Sequence, residues 1–213
     1  MSEFKRARSD EQKQERAEEV KAVTAQLFKE RPYHEITMST IGENLGWTRA
    51  NVYKYFASKE EVFLSLAQDA MCAYFRDLTK AFSQKKDLSR EDVAKKWASI
   101  FDKNRDWATY GAILVTIVEE NVSLERLKCF KQCYYEELDK LTEAVASNVG
   151  VPKQNFPEFF NAIHYHACGL SGICTVNPLV KQAIKELGIK RPAVSFKADM
   201  QRFIAICLQG YSD

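Results

Sequence analysis

Apolar residues recur along most of the chain at intervals of three and four, which is the period of an amphipathic helix. Val20, Val23 and Leu27 show this spacing in the first such stretch. No alternating apolar and polar run of strand type stands out, and only eight Gly and five Pro interrupt the 213 residues. The pattern therefore predicts an all-α fold of about nine or ten helices.

Capping signals and helix breakers set the predicted boundaries. A Ser or Thr before an apolar run accepts a hydrogen bond from the first turn, and Gly or Pro ends the run. Ser9 with Gln12, and Ser58 with Glu61, have the spacing of a capping box. The stretch 107–121 is apolar on most sides, which indicates a buried helix. The predicted helical stretches are 9 up to Pro32, 37 up to Gly46, 48–56, 58–78, a helix from Ser89, 107–121, 123–148, 156–175, 178–188 and 195–209.

Residues 37–59 carry the most informative pattern. Two short predicted helices meet at a tight turn formed by Gly46 and Trp47, and Gly42 lets the two helices cross closely. Their shared apolar seam is formed by Ile41, Leu45, Val52 and Phe56. This arrangement is typical of a helix-turn-helix.

The second short helix has an outward face that suits a DNA groove. At about 100° per residue, Val52 and Phe56 point to the core together, so the other positions face away. Arg can pair with guanine and Asn with adenine, while hydroxyl and ammonium groups reach phosphates. The outward positions are Thr48, Arg49, Ala50, Asn51, Tyr53 and Lys54.

Charge supports this interpretation only locally, because the net charge of the chain is +2. Residues 44–59 contain three cations and no carboxylate, and Lys5, Arg6 and Arg8 are expected to form a flexible arm on DNA. A short basic helix is also what an ordinary solvated face contains. Charge alone therefore does not decide between the two.

The ordered pattern over residues 17–66 resembles the N-terminal domain of the TetR family of bacterial regulators. The matching positions are the helix from Thr37, Leu45-Gly46, Val52-Tyr53, Tyr55-Phe56 and Ser58-Lys59-Glu60-Glu61. The resemblance implies that Arg49, Ala50, Asn51 and Tyr53 face the groove. It implies that a second set holds the backbone or approaches bases, namely Thr37, Ser39, Thr48, Tyr55 and Lys59. Trp47 and Gly42 depart from the usual aliphatic residue and the usual Ala.

The same resemblance implies a DNA-binding domain at 1–57 and a helical effector-binding and dimerisation domain at 58–213. Members of the family dimerise through their last two long helices, and a two-fold dimer matches a palindromic operator. The small residues Gly169, Ser171 and Gly172 would let these helices approach closely. The apolar area is expected from Phe159, Phe160, Ile163, Phe203, Ile204 and Cys207, for which an intramolecular core is the alternative.

The aromatic residues of the second domain are candidates for an effector pocket, although most aromatics at helical spacing belong to a core. The expected function is a repressor that a small molecule releases from DNA. The alternative is a DNA-bound protein that recruits a protein partner and senses no small molecule. The candidate pocket residues are Trp97, Phe101, Trp107, Tyr110, Phe130, Tyr134 and His164.

Other classes of function find little support. No phosphate loop, dinucleotide turn, HExxH or nucleophile elbow is present, so no catalytic residues and no cofactor are expected. Neither Cys129 with Cys133 nor His164 with Cys168 belongs to a compact set of four ligands, so no metal is expected. Six cysteines, no secretory signal and no spanning apolar run indicate a cytoplasmic protein with free thiols and no membrane association.

Two substitutions separate the proposed roles. Arg49→Ala is expected to relax sequence preference and to cost roughly 1–3 kcal/mol of binding, because a lost base contact affects one sequence most. Lys59→Ala is expected to weaken binding to all duplexes alike and to lower the slope of the salt dependence by about one unit. Titrations on matched and unrelated duplexes at several salt concentrations measure both effects, and a swapped pattern would contradict the assignment.

Overall fold

The computed structural model describes residues 2–84, 88–174, 178–190 and 194–212, with the backbone alone at 2–9 and at Pro178. These residues are helical and contain no strand, as predicted. Among them, no helix is both long enough and apolar enough to span a bilayer. The α-helices are α1 (Ser2–Glu30), α2 (Met38–Leu45), α3 (Arg49–Val52), α4 (Lys59–Phe82), α5 (Arg90–Lys103), α6 (Arg105–Ile113), α7 (Leu124–Val145), α8 (Phe156–Cys174), α9 (Pro178–Glu186) and α10 (Phe196–Tyr211).

The chain divides into two compact units. The first comprises residues 2–68 and 114–130, and the second comprises 69–113 and 131–212. In the first unit α1 packs on α2 and α2 packs on α3. The buried side chains of Val20, Ile41 and Val52 supply its apolar contacts, and the ring of Phe63 lies 5.0 Å from that of Phe28.

The second unit is centred on an aromatic cluster. Here α10 packs against α5 and α8, and α6 packs against α8. The buried Trp97 ring lies 5.6 Å from Phe82 and 5.4 Å from Phe159. Its indole nitrogen donates a hydrogen bond of 2.6 Å to the hydroxyl of Tyr74, so the cluster buries no unpaired indole at this position.

Four of the predicted caps are confirmed, and Ser195, where only the start of a helix was predicted, is also a cap. The side chains of Thr37, Thr48, Ser58, Ser89 and Ser195 each accept a hydrogen bond from a backbone N–H in the first turn of the following helix. Such bonds satisfy donors that have no partner within the helix, which fixes where each helix begins.

Two boundaries near the N-terminus were predicted wrongly. α1 begins at Ser2, so Ser9 lies within the helix and does not cap it, and residues 2–8 continue a helix where a flexible arm was expected. α3 ends at Val52, and residues 53–55 form a turn, although the prediction extended the helix to Phe56. Residues 2–8 are mostly polar and gave no apolar signal for a helix, whereas apolar spacing continues from Val52 to Phe56 and gave no signal for the end of α3.

The stretch 107–121 is not one buried helix. α6 ends at Ile113, a π-helical turn covers Leu114–Val118, and a 3₁₀ turn covers Glu119–Asn121. The side chain of Val115 is 63% exposed. The apolar run in the sequence therefore spans part of α6 and two successive turns, and its side chains are buried to different extents. The predicted end of α8 at Thr175 lies outside the described residues.

The contact between α6 and α8 is unusually close. A Cβ on Gly111 would lie 2.6 Å from the sulfur of Cys168 and 2.9 Å from the ring of His164. The His164 ring stacks on Trp107 with centroids 4.5 Å apart. Burial lowers the pKa of His164 from 6.5 to about 4, because the charged imidazole loses its hydration.

This pKa shift predicts an acid-sensitive fold. The folded-state pKa of His164 is depressed, so between about pH 6.5 and 4 the unfolded chain binds more protons than the folded chain. The free energy of unfolding is therefore expected to fall across that window, by on the order of 3 kcal/mol. Urea unfolding at several pH values measures it.

The variant His164→Gln is expected to flatten the pH dependence between pH 6.5 and 4. The matched control is His34→Gln, which removes an exposed imidazole and is expected to keep the wild-type profile. An unchanged profile in His164→Gln would contradict the assignment.

Candidate nucleic-acid interface

The first element of the interface is the capped start of α2. The Thr37 hydroxyl accepts the N–H of Thr40 at 3.1 Å, and the Thr40 hydroxyl accepts the N–H of Thr37 at 2.9 Å. This reciprocal pair forms a capping box with Thr at the position where Glu or Gln is usual. Thr37 is exposed and Ser39 is half-buried, so both lie at an accessible positive end of a helix dipole.

The turn between α2 and α3 is a Schellman motif. Gly46 has a φ of 67°, in the left-handed region. The N–H of Trp47 bonds the carbonyl of Gly42 at 2.8 Å, and the N–H of Gly46 bonds the carbonyl of Glu43 at 3.2 Å. These bonds end α2 and set the direction in which the chain enters α3.

Gly42 lies where the turn passes over α2. A Cβ at this position would lie 2.8 Å from the backbone carbonyl oxygen of Trp47 and 3.3 Å from Cγ2 of Val52. The first of these neighbours is backbone and cannot rotate away. The absence of a side chain therefore permits this crossing of α2 and α3, and the two departures from the family pattern, Gly42 and Trp47, lie in direct contact.

Trp47 also contacts α1 and the turn that follows α3. The guanidinium carbon of Arg16 lies 5.3 Å from the centre of the Trp47 ring, and the Tyr55 ring lies 5.7 Å from it. A cation over an indole face is attracted by the ring electrons. Trp47 thus positions Tyr55. No local pattern in the sequence indicates that Arg16 packs on Trp47.

α3 presents its polar side chains outward. The Thr48 hydroxyl accepts the N–H of Asn51 at 3.3 Å, and Val52 is fully buried. Arg49, Ala50 and Lys54 are exposed and Asn51 is half-buried. The angular prediction for the outward face of this segment agrees with these exposures.

Arg49 and Tyr53 form a pair on that face. An Arg49 guanidinium nitrogen donates to the Tyr53 hydroxyl at 3.0 Å, and the guanidinium lies 5.3 Å from the centre of the Tyr53 ring. This contact holds the guanidinium against a flat ring and leaves its other N–H groups available to an acceptor. The sequence indicated both residues separately and did not indicate that they pair.

Lys59, at the start of α4, is held by Tyr33. The Lys59 ammonium donates to the Tyr33 carbonyl at 3.1 Å and lies 4.0 Å from the centre of its ring. The Tyr33 hydroxyl donates to Glu60 at 2.6 Å. Partial burial lowers the pKa of Lys59, and burial together with the Glu60 carboxylate raises the pKa of Tyr33. Tyr33 is 26 residues from Lys59, so no local spacing could reveal this contact.

Glu61 completes the start of α4. Its N–H bonds the Ser58 hydroxyl at 3.2 Å, and its carboxylate accepts the N–H of Ala57 at 3.1 Å. Arg126 lies 3.7 Å from the same carboxylate. These contacts fix the start of α4 a few residues after α3.

The starts of α2, α3 and α4 meet around one groove of about 380 Å³. Five of the ten predicted DNA-binding residues line it, namely Thr37, Ser39, Arg49, Tyr53 and Lys59. Lys54 and Tyr55 instead line a second groove of about 580 Å³ with residues of α1 that include Lys13 and Arg16. Thr48, Ala50 and Asn51 lie on the outward side of α3, outside the linings of both grooves.

The candidate effector residues are mostly buried within the chain. Trp97 and Phe101 have no exposed surface and lie in the aromatic cluster, where their rings pack against other core residues. Trp107, Tyr110 and His164 are buried, and Phe130 belongs to the other unit. Tyr134 is half-buried and donates to Asn161 at 2.8 Å.

Most of the candidate dimer residues also lie in the core. At most 6% of the side chain is exposed for Phe159, Phe160, Ile163, Ile204 and Cys207. These five side chains cannot contribute surface to a dimer interface without leaving the core of their own chain. Their burial agrees with the alternative, in which they form an intramolecular core. Phe203 is half-buried and stacks on His166 with centroids 3.9 Å apart.

A turn-linked pair of short helices with an exposed polar recognition face, followed by helices alone, defines a helix-turn-helix DNA-binding regulator. The family model described as bacterial regulatory proteins, tetR family, matches residues 22–66. The model described as tetracyclin repressor-like, C-terminal domain, matches residues 68–213. The chain belongs to the TetR family of DNA-binding transcriptional regulators.

Individual relatives are distant. An uncharacterized HTH-type transcriptional regulator, YdgC of Bacillus subtilis (strain 168), is 27% identical over an alignment of 138 residues, with a coverage of 56% of this chain and 69% of that protein. The fatty acid degradation regulator FadR from Bacillus halodurans has a TM-score of 0.57 at 16% identity over 91% of this chain and 95% of that one. A tetR-family regulatory protein from Rhodococcus RHA1 has a TM-score of 0.53 at 14% identity over 92% and 96%. The two solved structures show a shared fold.

Gly42→Ala tests the helix crossing. The added methyl group meets the Trp47 carbonyl, so the free energy of unfolding is expected to fall by about 1–3 kcal/mol. DNA affinity is expected to fall as well, because α3 must shift relative to α2. Urea unfolding and duplex titration measure the two effects.

The control for this substitution is Gly210→Ala, where the added methyl group has no neighbour within 4 Å. It is expected to leave stability unchanged or to raise it slightly, since Ala favours helix over Gly. Equal effects of the two substitutions would show that the close approach at Gly42 is unimportant.

Proposed function

We propose that this protein is a sequence-specific repressor that binds a palindromic operator as a homodimer and is released by a small-molecule effector. The observation that carries the DNA-binding part is the groove shared by the starts of α2, α3 and α4. We assign DNA binding to residues 1–57 and effector binding and dimerisation to 58–213.

The ten interface residues divide into two roles. Arg49, Ala50 and Asn51 on α3 and Tyr53 in the turn after it read base edges, and the pairing of Arg49 with Tyr53 orients the guanidinium before DNA arrives. The remaining residues hold the phosphate backbone, namely Thr37, Ser39, Thr48, Lys54, Tyr55 and Lys59. Lys59 uses one donor on Tyr33 and has two more for a phosphate.

The exposed faces of α8 and α10 are the proposed dimer interface. Tyr165, Ile173 and Ile206 are between 59% and 67% exposed, which is unusual for large apolar side chains. Gly169 and Gly172 lie on the Tyr165–Ile173 face of α8, and a Cβ at either glycine would have no neighbouring atom within 4 Å. A second helix can therefore approach closely there. Homodimers are typical of the family.

The proposed effector contact is the seam between α6 and α8. The indole nitrogen of Trp107 is buried and lacks a hydrogen-bond partner. An unpaired buried donor costs about 1–3 kcal/mol, so a ligand with an acceptor group would gain from reaching it. His164 and Cys168 lie in the same seam. Binding there requires the two helices to separate, which is the change that would alter DNA affinity.

A second candidate function is a DNA-bound protein that recruits a protein partner and senses no small molecule. The close packing at Gly111 and the complete burial of Trp97 and Phe101 favour it, because the predicted pocket residues already fill a core. Small molecules that raise the melting temperature and release DNA would exclude this candidate.

The test of the proposed function is selection of bound sequences from a random duplex library, followed by titration of the enriched duplex. An enriched palindrome, bound tightly by wild-type protein and weakly by Arg49→Ala, is the expected result. Weak, strongly salt-dependent binding without enrichment, in the presence and absence of small-molecule extracts, would contradict site-specific recognition.

Ile206→Asp is expected to convert the dimer to a monomer and to abolish binding to the full palindrome, because a carboxylate would be buried without a partner. Light scattering and operator titration measure this. The matched control is Leu124→Asp, which changes a leucine that is 68% exposed at the start of α7. If the Ile206→Asp protein remains a dimer, the proposed interface at Ile206 is wrong.

A further inference from the structure

Two thiols from different helices lie side by side in the second unit. Cys72 belongs to α4 and Cys133 to α7, and the Cys133 side chain lies close enough to affect the pKa of Cys72. Next to them, the rings of Phe75 on α4 and Tyr134 on α7 have centroids 6.1 Å apart, so the two helices are in contact at this level. The two residues are about sixty positions apart in the sequence, so no motif brings them together. Neither is in a disulfide in this structure.

Both sulfur atoms belong to half-buried residues, so reagents can reach the pair. Cys72 lines a groove of about 430 Å³ along α4 and α7. Phe75 and Leu141 provide buried apolar surface in this groove, and Arg76 and Lys140 are exposed. A hydroperoxide is small enough to enter a groove of this size.

We propose that Cys72 and Cys133 are a redox-active pair that a hydroperoxide converts to a reversible disulfide linking α4 to α7. In the first step Cys133 loses its proton and its sulfur attacks the terminal oxygen of the peroxide ROOH. The O–O bond breaks, a sulfenic acid forms on Cys133, and the alkoxide takes up the released proton and leaves as the alcohol ROH. In the second step the Cys72 sulfur attacks that sulfenic sulfur, the S–S bond forms and water leaves. Two thiols and one peroxide thus yield one disulfide, one alcohol and one water.

The environment of Cys72 decides the order of these steps. Burial, with smaller contributions from Cys133, Glu137 and Asp69, raises the pKa of Cys72 to about 11. Cys72 is therefore protonated near neutral pH and reacts poorly with a peroxide by itself. It lies against Cys133, where it can capture a sulfenic acid before a larger thiol reaches it.

The disulfide would join two helices that are remote in sequence. A bond that closes a loop of about sixty residues restricts the unfolded chain and raises thermal stability when its geometry is unstrained. α4 and α7 are already in contact beside the two thiols in the reduced protein, so oxidation is expected to preserve the arrangement of α4 and α7 and not to create a new one. This inference does not depend on the proposed effector.

The experiment treats the full-length reduced protein with hydrogen peroxide, alkylates the remaining thiols and digests with trypsin without reduction. Trypsin places Cys72 in peptide 60–76, Cys129 in 129–131 and Cys133 in 132–140, so mass spectrometry distinguishes every pairing among them. The expected product is a 60–76/132–140 cross-link within one chain, which dithiothreitol removes. The melting temperature is expected to rise on oxidation and to return on reduction.

The variants separate the pair from the other thiols. Cys129→Ser, which removes the neighbouring exposed thiol, is expected to keep the cross-link and the reversible shift in melting temperature. Cys72→Ser and Cys133→Ser are each expected to lose both. Cross-linking of peptide 129–131 in place of 60–76, a link between chains, or a free Cys72 after complete oxidation of Cys133 would overturn the proposal. The wild-type peptide map decides this even if a variant fails to fold.

Discussion

The DNA-binding unit depends on one close approach, between the Cα of Gly42 and the backbone carbonyl of Trp47. Because no side chain separates them, the turn passes directly over α2 and brings Val52 into the buried seam. That seam fixes α3 in rotation as well as position, and rotation decides which side chains face outward. The indole of Trp47 then extends from the same turn to Arg16 and Tyr55.

The contacts that begin the helices also build the recognition surface. The capping bonds of Thr37, Thr48 and Ser58 fix three helix starts, and residues at all three starts line one groove. Lys59 adds a cation whose position is set by Tyr33 rather than by α4 alone. In the proposed DNA-binding role such a fixed surface would lose less conformational entropy on association than a flexible one.

The second unit shows how little composition reveals about the use of an apolar side chain. On α8, Phe159, Phe160 and Ile163 are buried, while Tyr165 and Ile173 on the same helix are exposed. Ile163 and Ile173 have the same transfer free energy and yet differ in burial, so hydrophobicity alone cannot assign them to a core or to an interface. The same holds for the two thiols, because Cys72 and Cys133 become neighbours only when α4 packs against α7.

The sequence by itself determined the helical class, the caps at Thr37, Thr48, Ser58 and Ser89, the turn at Gly46 and the outward face of α3. Each of these depends on interactions within a few residues, where spacing carries the physical information. The tertiary structure decided the α6–α8 seam at Gly111, the Tyr33–Lys59 contact, the Arg16–Trp47–Tyr55 stack and which apolar residues are buried. It also ended α3 at Val52 and broke the run 107–121 into successive turns. These features depend on side chains far apart in the chain, whose packing no local pattern records.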